Sequence, residues 1–70
     1  MGQLTLTRQD IELDIHQYHE RIRSCRDRLA TMPEAKDQSR RDKATVRVIA
    51  SEVSHLFRMV EHAKSALHRL

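Results

Sequence analysis

The sequence predicts an all-α fold: an antiparallel two-helix hairpin with a coiled-coil-like seam, dimerising into a four-helix bundle. Three observations carry this reading. Ile11, Ile15, Tyr18, Ile22, Cys25, Leu29 and Met32 recur at alternating spacings of four and three residues. Val46, Ile49, Val53, Leu56, Val60, Ala63, Leu67 and Leu70 recur in the mirror order, three then four. A strict 3.5-residue repeat lays apolar side chains along one slowly supercoiling stripe, as knobs-into-holes packing requires. The only proline, Pro33, stands between the two seams, so the second helix must fold back along the first.

The elements follow in order. Residues 1–6 read as a flexible arm, because Leu4 and Leu6 alternate with Thr5 and Thr7 but have no second strand to pair with. Helix 1 is expected over about 7–31. Thr7 has the chemistry of an N-cap, Asp10 stands at N3, and Leu6 and Ile11 have the spacing of a hydrophobic staple. Asp10, Glu12 and Asp14 set negative charge against the positive end of the helix dipole. Pro33 closes the helix by disfavouring helical geometry at Met32. Two restarts compete, Thr31-Met32-Pro33-Glu34 and Ser39-Arg40-Arg41-Asp42; the later one is preferred, with a turn over about 32–38. Helix 2 then runs over about 39–69 without a glycine or proline.

Pairing positions whose numbers sum to 78 stacks seven layers, from Ile11 with Leu67 to Met32 with Val46, apolar on both sides throughout. The flanks of the two seams differ. Glu12, Asp14, His19, Arg21, Arg26 and Arg28 border the first, giving a narrow stripe for one neighbour. Ala50, Phe57, Met59 and Ala66 widen the second. A lone hairpin leaves Phe57 half exposed, whereas packing helix 2 on helix 2 of a second copy covers it and contributes about 1.5–3 kcal/mol per chain. The expected dimer interface is Ala50, Val53, Phe57, Met59, Val60 and Ala66.

Seventy residues make one small domain, a size that leans on staples or a partner chain. A disulfide framework is excluded, since Cys25 is the only cysteine. A solitary thiol on an apolar seam suits a reducing cytoplasm. No apolar run reaches the ~20 residues of a membrane span. No signal-peptide layout is present, and Leu6 stands where a myristoylation motif wants Ser or Thr.

Catalytic, metal and cofactor chemistry find little footing. His16 and His19 lie one turn apart, and Glu52 and His55 have the spacing of the Glu-x-x-His unit of di-iron bundles. All four fall outside the seams, so they read as solvated surface residues. Cys25 lies on the seam, which predicts a buried, inert thiol. A hairpin filled by its own side chains encloses no small-molecule substrate. The expectation is a chain that is not an enzyme and holds no cofactor or metal.

Charge is unevenly spread. Residues 1–20 set Arg8 against Asp10, Glu12, Asp14 and Glu20. Nine cations against four carboxylates fall between residues 21 and 47, around the bend. Two functions follow as expectations. The first is a small protein-interaction or regulatory adaptor acting as a cytoplasmic homodimer, with another protein as partner. The alternative is a nucleic-acid-binding hairpin using Arg28, Arg40, Arg41, Lys43 and Arg47, which reward a phosphate backbone through counterion release.

Overall fold

The computed structural model describes residues 7–70 and contains two long helices joined by a tight bend. The arm read over 1–6, with the staple partner Leu6, lies outside the described residues. Helix α1 spans Arg8–Ala30 and helix α2 spans Arg40–Arg69, with a single 3-10 turn, Ala35–Asp37, between them.

Each helix starts on a complete capping box. The Thr7 hydroxyl accepts from the Asp10 backbone N–H at 3.2 Å, and the Asp10 carboxylate accepts from the Thr7 N–H at 3.1 Å. The Thr7 hydroxyl also donates to that carboxylate at 2.9 Å. Ser39 and Asp42 repeat the exchange at the start of α2, with both bonds at 3.1 Å. Each box satisfies two of the backbone donors that a helix start leaves without partners. The competing restart at Thr31 is not used. Thr31 is the C-cap of α1, and its hydroxyl donates back to the Arg28 carbonyl at 2.7 Å. Pro33 follows, and its carbonyl accepts from the Gln38 side-chain amide at 2.8 Å, which ties the two ends of the bend together.

The two helices pack along the expected seams. Ile22, Cys25, Ile49, Leu56 and Val60 form the buried cluster, with Ile15, Tyr18, Leu29 and Val53 packed against it. Ile11 is buried as well, toward the far end. Leu70 is the exception at 65% exposed, because the residue that would oppose it on α1 is Arg8. One ion pair links the helices, Arg21 to Glu52 at 3.5 Å, and half-exposed pairs of this kind contribute about 0.2–1 kcal/mol.

The hairpin is a rod one helix thick, with extents of 54 × 24 × 14 Å. Its radius of gyration is 16.4 Å, against about 11 Å for a compact chain of this length. Its accessible surface is 6100 Å², whereas a compact monomer of this mass exposes roughly 4600 Å². Most side chains outside the seam therefore face solvent.

Candidate functional site

Helix α2 turns its seam toward α1, leaving its outer side open and its two flanks unequally covered. At about 100° per residue, Ala50 and Phe57 share one flank, while Met59 and Ala66 share the opposite one. Phe57 is 45% exposed, Ala50 is exposed, and Met59 and Ala66 are half-buried. Val53 packs against the core and Val60 is buried within it. The six residues expected at a dimer interface are thus not one patch. Val60 is consumed by the intrachain seam and drops out, Val53 packs against that seam, and the remaining four straddle α1. A second chain can cover the Phe57 flank or the Met59 flank, but a single helix cannot cover both.

The Met59 flank is partly closed by α1. Ile11, Asp14 and Tyr18 face Met59, Ala63 and Ala66 across a shallow groove of about 210 Å³. The Phe57 flank is more open. Phe57 stands at the edge of a shallow depression of about 360 Å³, bordered also by Arg58, Glu61, His62 and Ser65, that opens onto the outer side of α2 and is lined by α2 alone.

The five cations at the bend divide by direction. Arg28 and Arg41, from different helices, line one groove of about 350 Å³ together with Ala44, Thr45, Val48 and Glu52. Arg40 and Arg47 point to the outer side of α2, and Lys43 lies between that side and the Phe57 flank. All five are exposed.

Val48 is 66% exposed and Leu13 55%; neither belongs to a seam or to the flanks read from the sequence. The signal that would have found them is simple, an apolar side chain lying well off the stripe on the helical wheel.

The residues weighed for chemistry stay apart. Cys25 is a free thiol, 4% exposed and set in the seam. Glu52 is engaged by Arg21 at 3.5 Å, and His55 is exposed. Among the described residues no three His, Cys, Asp or Glu side chains converge. One carboxyl is perturbed: the Thr7 backbone N–H, then the Thr7 hydroxyl, holds Asp10 below the usual carboxylate range. That perturbation belongs to the helix cap.

No known protein family, characterised protein or solved structure matches this chain.

Proposed function

We propose that the protein is a small non-enzymatic interaction or regulatory adaptor that works as a cytoplasmic homodimer, its two hairpins forming a four-helix bundle. The observation that carries this reading is the apolar surface left open by a one-layer fold. Stable domains place a second layer over such a face, and this chain exposes in total, polar and apolar surface together, about 1500 Å² more than a compact monomer of its mass. A standard interface removes about 800 Å² from each partner, which fits within that excess. The Phe57 flank is the contact surface, because it carries the chain's only Phe and α1 does not close it. A copy of the chain is the partner that is always present, and an isologous contact repeats one patch on both subunits. The cytoplasmic placement rests on the unpaired Cys25 thiol.

Sedimentation equilibrium tests the proposal. The wild-type chain should be dimeric at micromolar concentration. Phe57→Glu should give a helical monomer, since it places a charge in the contact and leaves the intrachain seam intact. A wild-type chain that stays monomeric at high micromolar concentration overturns the proposal.

A further inference from the structure

The outer side of α2 carries a cationic track that the dimer reading touches only at its Arg58 end, beside Phe57. Arg40, Arg47 and Arg58 are spaced seven and eleven residues apart, so they point within about 20° of one another. Lys43 lies beside them, and Ser51 and Ser54 fill the gap between Arg47 and Arg58. All six side chains are exposed. Two carboxylates near the track are engaged elsewhere, and Glu61, one turn beyond Arg58, is the acid that borders it. Asp42 is held in the capping box with Ser39, and Glu52 lies on a flank, bonded to Arg21. The ion pairs among the described residues are Arg8–Glu12, Arg21–Glu52 and Lys36–Glu34, so none of the four track cations has a carboxylate within 4 Å. Glu61 is the first acid to return to this side, and it ends the track.

We propose that this track binds the phosphate backbone of duplex nucleic acid. From Arg40 to Arg58 it runs about 27 Å along a helix with no glycine or proline to bend it. A straight row of cations suits a stiff polyanion with one charge per ~1.7 Å of axis. The Ser51 and Ser54 hydroxyls add donors for phosphate oxygens. Phe57 points to the flank, so the track offers no aromatic surface on which unpaired bases could stack, which favours duplex over single strand. Helix α2 contains no Asn or Gln, the side chains that read adenine with two bonds, so the track has no adenine reader. DNA and RNA duplexes present the same backbone chemistry, and the experiment separates them.

Fluorescence anisotropy with the full chain and labelled 24-base-pair DNA and RNA duplexes of mixed sequence tests this. Four cations on four phosphates give a log–log salt slope of about −3.6, so raising salt from 50 to 200 mM should weaken binding roughly 150-fold. Binding of one duplex form or of both supports the proposal and identifies the source. Arg47→Gln with Arg58→Gln, which keeps helix propensity, should flatten the slope by about 1.8. Arg47→Glu with Arg58→Glu should abolish binding, while Arg23→Glu with Arg26→Glu on α1, an equal change in net charge, should leave most of it. Absence of binding at 50 mM salt overturns the proposal, as does equal loss in the α1 and α2 reversals. Tighter binding of labelled poly-glutamate than of either duplex, at matched charge and salt, would assign the track to acidic proteins instead. An α2 reversal that dissociates the dimer and leaves duplex binding unchanged would assign it to assembly. Neither of these last two results depends on the fate of Phe57→Glu.

Discussion

Replacing Leu56 by Ala should unlock Cys25 without erasing the helices, and the size of the effect can be worked from the packing. Leu56 is 2% exposed and shares one buried cluster with Cys25. Leu→Ala changes in well-packed cores cost about 2–5 kcal/mol, depending on how far the site collapses. Here the layer is only 14 Å deep, so neighbours and water can enter the void, and about 2–3 kcal/mol is expected. Chains of this length stand only about 3–10 kcal/mol above their unfolded state, so the loss is a large fraction of the total. If the thiol reacts only after the seam opens, its labelling rate follows the open population. The substitution should therefore accelerate labelling by an aqueous disulfide reagent roughly 30- to 140-fold. The assay compares pseudo-first-order rates at one protein concentration, because self-association shifts the same equilibrium by mass action. Val48→Ala is the matched control: Val48 is 66% exposed, and the rate should change little. A wild-type thiol that reacts as fast in buffer as in denaturant would refute the reasoning. So would a Leu56→Ala rate within about threefold of wild type.

Two further predictions concern the caps. Ser39→Ala removes both the acceptor for the Asp42 N–H and the capping box that starts α2, and should cost about 1 kcal/mol, read as a fall of roughly 4–8 °C in Tm. Asp10 gives a pH signature. Its folded-state pKa lies below the ordinary value of 3.8, so its contribution is fully present above that value and is lost as pH falls through the folded one. The acid limb of a circular dichroism titration should therefore be shallower in Asp10→Asn, whose uncharged side chain has nothing to protonate; identical limbs would show that this carboxylate does not matter to α1.

The seams were legible because they repeat. Within each seam every position obeys the same three-four rule, and the buried cluster draws on both seams. Both chosen helix starts were legible for a different reason: a hydroxyl residue followed three places on by a carboxylate is a local device that needs no tertiary contact. Thr31 shows where that signal fails. The same spacing occurs there, yet the hydroxyl finds the Arg28 carbonyl of the helix it has just left, and Pro33 holds the chain away from an immediate restart. The surfaces were less legible. Helical periodicity already sets Ala50 and Phe57 on the opposite flank from Met59 and Ala66, but that α1 half-buries the second pair and leaves the first exposed is visible only in the packed hairpin. The shared groove of Arg28 and Arg41 likewise depends on how the bend brings two helices side by side.

The bend also fixes the order in which the hairpin assembles. Leu29 and Ile49, one layer in from it, are twenty positions apart, whereas Ile11 and Leu67, at the open end, are fifty-six apart. Closing the longer loop first costs about 0.9 kcal/mol more chain entropy than closing the shorter one. Once the short loop is closed, every further layer adds contacts while lengthening the loop hardly at all. The Gln38–Pro33 bond and the Ser39 cap favour that first closure by tightening the bend. The hairpin thus closes like a zipper from the bend outward, and opens from the Ile11–Leu67 end inward. Arg28 and Arg41 sit beside the last layers to part, so their groove outlasts the rest of the seam as the protein unfolds.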